Sequence, residues 1–410
     1  MNSKNRVNAV FERKKLDRTP IDLGGTRKTG ISVTALYHLR QCLGAEIPAR
    51  LYDIYEGTAE LDMLVQDTLG GDTLPLPLAV PLLTPECFCE TAKKAWKPYA
   101  MEDGIGVLIP RDFYPERELS GDLCLRDFQD RRFGMMKRGG WRFELLAPGP
   151  GVCGLTFAEI EKELGSENPA VAFLQNSESL EILKTNAKKL ARSSKKSLIL
   201  RAGLPSPFFG GLGFREPEKW LRALDSGHSD VEKLLEKWYS LWISELKKLH
   251  EAAGEAVNVL VLEESFLGVE TDADRRIIRE RILPLYARGI REIRELFSEK
   301  VHILWQAEGN SMPFLPQLIE MGVEGISFTD GNSGMDPLTV KREFGKELVL
   351  WGGACSAQEL ASETAETILS KTQERTAILS ENGGYIHAVS GTILPSTDPE
   401  NILTFFLQKN

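Results

Sequence analysis

Three short apolar runs punctuate the carboxy-terminal part of the chain, from His302 to Trp305, from Gly325 to Phe328 and from Leu348 to Trp351. Each stops at a polar or glycine-rich end: Gln306 to Asn310, Thr329 to Asn332, and Gly352 to Cys355. Between the first two runs, residues 312–322 carry a helical pattern. Continuous apolar runs of this length predict strands buried on both faces, and their alternation with helices predicts a parallel sheet. The same rhythm recurs upstream. Residues 177–193 predict a helix, 197–203 a strand, 216–225 and 230–253 two helices, 258–262 a strand that ends at Glu263 and Glu264, and 272–298 a charged helix. Downstream, 357–381 predicts a helix, 384–389 a last strand and the tail a closing helix. The fold class is therefore α/β, a (β/α)8 TIM barrel, in which the strand carboxy-terminal ends surround the site.

The amino-terminal third reads differently. An amphipathic helix over 5–15 leads into a first barrel strand at Pro20–Leu23. The loop after it, Gly24 to Gly30, carries Arg27 and Lys28 and is suited either to an anion or to an ordinary solvated turn. Helices are predicted over 32–44 and 57–69. Glycine and proline then punctuate the chain, with hairpin signals at Gly104 and at Arg138 to Gly140. The expectation is one domain, 1–410, with an antiparallel β-hairpin insertion decorating the barrel at about 85–150.

The formal charge of −9 argues against a nucleic-acid partner, which needs a basic face. No apolar run approaches the roughly 18 residues of a membrane span, and the charged amino terminus lacks the apolar core of a secretory signal. Six scattered cysteines read as reduced thiols, which with the other features predicts a cytoplasmic enzyme. Cys87 and Cys89 lack metal-ligand spacing and read as strand residues. His302 opens its strand and belongs to the face opposite the site, while His38, His228 and His250 fall in helices.

Several segments carry a family likeness. Residues 6–26, the run from Val323 to Cys355 with its Asp330, Lys341, Gly345 and Gly352-Gly353, and the ending from Asn382 to Ile402 resemble the uroporphyrinogen decarboxylase superfamily of β/α barrels. One branch of that superfamily decarboxylates a porphyrinogen without a cofactor. The other comprises methyltransferases that exchange methyl groups with a corrinoid protein and commonly use zinc. The cation-rich amino-terminal clamp of the decarboxylases is reduced here to Arg27 and Lys28, and the second-strand region offers Asp72 as its carboxylate. The methyltransferases' His-x-Cys position falls on Gln306 and Glu308, and their later ligand position falls near Ser390. A carboxylate-rich site is hard and suits an oxygen better than a thiolate.

The resemblance therefore implies an O-demethylating methyltransferase component. It would take methyl from a small methoxylated substrate, expected to be aromatic, and pass it to the cobalt of a cobalamin-type corrinoid on a separate protein. Glu308, Gln306 and Asp330 are the catalytic candidates, with Glu308 either a metal ligand or a general acid. Arg27, Lys28, Phe208, Phe209, Trp305, Phe328, Trp351 and Tyr385 are the substrate-binding candidates. Glu308, Glu263, Glu264, Cys355 and His387 are candidate ligands for Zn2+. The aromatic residues are equally suited to filling barrel layers. No cobalamin-binding Asp-x-His-x-x-Gly motif occurs, so the corrinoid belongs to a partner. Neither a nucleic acid nor a membrane is expected as partner, and a homodimer is compatible with the sequence. The alternatives are a cofactor-free decarboxylase of a smaller substrate and a non-catalytic ligand-binding barrel.

Overall fold

Seven parallel strands form a curled sheet: β1 (Thr73–Pro75), β2 (Ser197–Arg201), β3 (Val259–Ser265), β4 (His302–Glu308), β5 (Gly325–Ser327), β6 (Val349–Trp351) and β7 (Tyr385–Ile386). Their spatial order follows the chain, from β7 at one edge to β1 at the other. The structure, a computed structural model, describes residues 1–45, 47–54, 56–76, 96–101, 104–111, 113–126, 132–145, 177–201, 207–208, 217–298, 300–329 and 334–408. Residues 20–22 stand between the two sheet edges. The amide of Asp22 donates to His387 O at 2.8 Å, that of His387 to Pro20 O at 2.8 Å, and that of Asp72 to Ile21 O at 2.7 Å. The predicted first strand thus occupies the eighth position and closes the ring.

Alternation along each strand sends side chains to two separate cores. Ile199, Val259, Val261, Leu304, Val349, Trp351, Ile386 and Ala388 fill the lumen. Val7 and Val10 of the first helix, Ser3–Phe11, join them, so that helix plugs the amino-terminal end of the barrel. The intervening residues, among them Leu198, Leu260, Ile303, Trp305, Ile326, Leu350 and Tyr385, pack outward with the helices. His302 lies at the plugged end, stacked on Phe11 at 4.1 Å, as its place at the strand start predicts.

Helix ends depart from the periodicity where local capping intervenes. The helix predicted over 57–69 is shorter, Met63–Thr68, because Thr58–Ala59 pairs with Leu51–Asp53 and Asp62 supplies the N-cap just before Met63. The helix predicted over 357–381 is two, Ala357–Ser362 and Ala365–Ser380, divided where Thr364 caps the second. Residues 272–297 are helical throughout, with a π turn at Ile278–Ile282.

Antiparallel hairpins lie within the predicted insertion. Trp96–Ala100 pairs with Gly106–Pro110, and a four-stranded sheet runs through Glu116–Arg117, Leu123–Arg126, Arg132–Met136 and Glu144–Leu145. They join the barrel through its 49–54 segment: the amide of Leu108 donates to Ala49 O at 2.8 Å and that of Phe143 to Ile54 O at 3.2 Å. Cys87 and Cys89 lie outside the described residues.

Candidate active site

β4 carries Gln306 and Glu308 two residues apart, hence on the lumen face with Leu304. Register sets Gln306 beside Glu263 of β3 and Ser327 of β5. The apolar lumen therefore gives way to a polar layer near the strand carboxy-terminal ends. The Gln306 amide nitrogen donates to Ser327 Oγ and to Thr26 Oγ1, both at 2.9 Å, and Arg201 of β2 pairs with Glu263 at 2.5 Å.

Above this layer stand the cations of the loop after residues 20–22. Gly24, at φ 74°, turns the backbone through a conformation that glycine adopts without strain. Arg27–Thr29 then form a single 3-10 turn in which Thr26 and Thr29 cap each other. Asp22 latches the loop. Its buried carboxylate accepts from the Gly25 amide at 2.8 Å, Thr29 Oγ1 at 2.7 Å, Trp351 Nε1 at 2.6 Å and Thr73 Oγ1. Burial raises its carboxyl above the usual range, against hydrogen bonds that favour the anion.

The loop delivers Arg27 to Asp53 at 2.6 Å, and Lys28 to two carboxylates, Glu56 at 2.7 Å and Glu308 at 2.6 Å. Arg142, from the insertion, reaches Glu56 at 3.6 Å. Burial works against ionising Glu308, but the Lys28 ammonium outweighs it and holds the carboxyl below its usual value. Burial likewise works against the charge on Lys28, and Glu56 and Glu308 reverse that and raise it. Glu308 is thus a carboxylate and Lys28 an ammonium. Of the two, Lys28 is the partner that carries a proton.

The pair borders an open cleft of about 1000 Å³, whose walls include Trp141, Arg142, Phe328 and Arg375. Several buried polar atoms around it lack a hydrogen-bond partner among the described residues: Gln306 Oε1, Glu263 Oε1, Glu56 Oε2 and Thr392 Oγ1. Buried polar groups are rarely left unmatched, so these atoms keep hydrogen-bonding capacity in and beneath the cleft wall.

The structure brings together Arg27, Lys28, Glu308 and, beneath them, Gln306 with Glu263, while Phe328 lines the cleft. Other candidates are carried away from it by strand alternation. Trp305 faces the helices, its indole nitrogen on Ser311 Oγ at 3.2 Å and its ring stacked on Phe266. Glu264 also turns outward and accepts from Tyr286 Oη at 2.8 Å and the Phe208 amide at 3.0 Å. Tyr385 and His387 face the final helix, where His387 Nε2 meets Phe405 O at 3.1 Å. Burial lowers the imidazole to about 4, leaving it neutral. Trp351 is in the lumen but spends its indole on Asp22. Cys355 is buried, donates to Ser356 O, and has its thiol pushed up to about 12 by that burial. Asp330 and Phe209 lie outside the described residues.

The five zinc candidates therefore do not converge. Among the described residues no three His, Cys, Asp or Glu side chains are placed to share a metal ion. Glu308 is already matched by Lys28, Glu263 by Arg201, and the other three are turned away or protonated. Among the described residues, these five side chains do not form a donor set that fits zinc.

Sequence reasoning missed Asp22, Asp53, Glu56, Trp141, Arg142 and Arg201. Asp22 did leave a signal, an acid inside an apolar strand, whereas the partners of Lys28 come from segments whose approach only the fold determines.

The family model for "Uroporphyrinogen decarboxylase (URO-D)" matches residues 178–407. Among solved structures, a methyltransferase from Methanosarcina mazei is similar at 15% identity with a TM-score of 0.56, over 100% of this chain and 98% of that one. That likeness is one of fold. A hyperthermophilic beta-glucosidase from Pyrococcus furiosus overlays at 11% identity and a TM-score of 0.38, over 71% of this chain and 78% of its own. No curated protein matches the sequence. With more than half of its residues matched by the family model, the chain belongs to the uroporphyrinogen decarboxylase family.

Proposed function

We propose that the protein is the methyltransferase component of an O-demethylating system, acting on a small neutral methoxylated substrate. The observation that carries this reading is the balance of charge at the barrel mouth among the described residues, four cations against four carboxylates. Arg27, Lys28, Arg142 and Arg201 meet Asp53, Glu56, Glu263 and Glu308. Among the described residues such a mouth has no surplus of cations for a substrate bearing many carboxylates, which speaks against porphyrinogen decarboxylation. It accommodates a neutral ether, whose demethylation puts charge on oxygen only as the carbon–oxygen bond breaks.

Lys28 is suited to that charge. Glu56 and Glu308 keep it ionised and hold its ammonium at the cleft, so it can donate to the leaving oxygen with little reorganisation. The bond that breaks is methyl carbon to oxygen. Its electron pair stays on oxygen, where the Lys28 ammonium can stabilise the charge by a hydrogen bond until a proton from water completes the phenol. A reduced corrinoid carried by a separate protein would supply the nucleophilic electron pair that accepts the methyl group. The roughly 1000 Å³ cleft, open to solvent, is roomy enough for a small ether with such a partner approaching from outside. The likeness of fold to the Methanosarcina mazei methyltransferase supports the same branch.

The test is demethylation of a panel of methoxylated aromatics by the purified chain with a reduced Co(I) corrinoid. It is followed by loss of the corrinoid's visible band and by release of the phenol. Phenol formed in step with that loss supports the reading. Its absence, with a positive-control enzyme active in the same corrinoid, overturns it.

A further inference from the structure

A second cavity, of about 400 Å³, lies between the antiparallel insertion and the barrel. Tyr99, Met101, Phe113, Met136 and Phe143 line it, together with Leu51 and Ile54 of the hairpin that carries Asp53. Among the described residues that line it, none is Asp, Glu, Lys, Arg or His. The pocket opens partly to solvent, so its apolar lining is accessible to a ligand, and apolar cavities of even roughly 150 Å³ take up a benzene ring.

This cavity adjoins the charged cleft. Trp141 and Leu394 line both. Trp141 is pressed against Gly57, where an added Cβ would come 2.5 Å from the indole Cε3. Gly57 follows Glu56, the residue that holds Lys28. The wall between the two cavities is thus one residue removed from the ion pair.

We propose that the smaller cavity is a specificity pocket for the apolar body of the substrate, an aryl or alkyl group, with Trp141 and Leu394 as its threshold. This assignment rests on the methyl-transfer reading for what occupies the larger cleft, but it makes its own prediction about binding. Neutral lining selects against charged substituents, since an unpaired charge buried there would find no partner. The flexible thioethers of Met101 and Met136 adapt the pocket to apolar groups of different shape. The preferred substrates are therefore ethers with a ring or chain extending beyond the methoxy carbon.

Ethylbenzene, which has no methoxy group, probes the pocket separately from the chemistry, by isothermal titration calorimetry on the full chain. The wild type should bind one equivalent. Met101→Trp, which fills the cavity, should weaken binding by about tenfold or more. Lys28→Met should leave it within about twofold, because no charged group contacts the hydrocarbon. No binding by the wild type, or undiminished binding by a natively folded Met101→Trp, would overturn the pocket. If Met101→Trp does not fold, Met101→Ala replaces it and should shift preference towards butylbenzene, with an unchanged preference counting against the proposal. Ethylbenzene binding that Met101→Trp abolishes, without demethylation of any methoxylated compound, would keep the pocket and sink the methyl-transfer reading. Demethylation with no ethylbenzene binding would do the reverse.

Discussion

Glu308→Gln removes one of the two carboxylates that hold the Lys28 ammonium at the cleft. The fold should tolerate the change, because Glu308 is partly exposed and the glutamine amide oxygen can still accept from Lys28. Turnover should fall by about a hundredfold, since the donor to the leaving oxygen is less firmly charged and less firmly placed. Its pH profile carries a separate signature. The Glu308 carboxyl is held below 4.5, so the pair's contribution is present above that value and is lost as pH falls through the lower, folded value. The Lys28 ammonium is raised above 10.5, so its contribution is complete below that value and is lost as pH rises through the higher, folded value. Wild-type activity should therefore show no loss from this pair across the neutral range. With only Glu56 left to raise Lys28, the alkaline limb of Glu308→Gln should move to lower pH. A limb that stays in place would remove Lys28 from the role of charged donor. Glu308 itself was legible in the sequence because a carboxylate after an apolar strand points to a barrel mouth. Asp53 and Glu56 were not, because their hairpin meets the loop after residues 20–22 only in the fold.

At the scale of elements, the loop that delivers Arg27 and Lys28 depends on Asp22. Asp22→Ala would strand the Gly25 amide, the Thr29 and Thr73 hydroxyls and the Trp351 indole, at about 1–3 kcal/mol for each donor that finds no water. Trp351→Phe removes a single donor and leaves the others in place. Urea unfolding should therefore rank Asp22→Ala well below Trp351→Phe, with the latter costing about 1 kcal/mol beyond any packing loss. Equal losses would show that Asp22 is not the latch. A second element prediction concerns the hairpin turn. Gly57→Ala demands a side chain at φ 63° and drives it into Trp141, so the indole must move. Intrinsic fluorescence should change, and the KM for large ethers should rise more than that for small ones. Barrel strands were legible because two-sided burial writes continuous apolar runs into the sequence. The short pairing at Leu51–Asp53 with Thr58–Ala59 was not, since two or three residues carry no measurable period.

For the whole molecule, the two ends of the barrel have separate tasks. The closed end is plugged by Val7 and Val10, which sit among Ile199, Val259, Leu304 and Ile386. Arg6 reaches Asp72 at 2.5 Å and Asp17 at 2.8 Å, tying the helix to the barrel's rim. The open end holds the ion pairs, with the apolar lumen between. Trimming Val7 and Val10 to alanine together should cost roughly 2–4 kcal/mol, because the barrel wall cannot collapse into the space they leave. The two sites share neighbours, so the double variant need not equal the sum of the singles. Turnover of the folded fraction should nevertheless match the wild type, since Lys28, Glu56 and Glu308 are positioned by the loop and hairpin at the other end. Urea midpoints and turnover without urea separate the two effects. A midpoint that falls while turnover holds makes the lumen a passive spacer. A turnover that falls with it, in protein still folded by circular dichroism, would mean that the strands transmit the state of the plug to the polar layer around Gln306, and that the mouth is not positioned by its own loops alone.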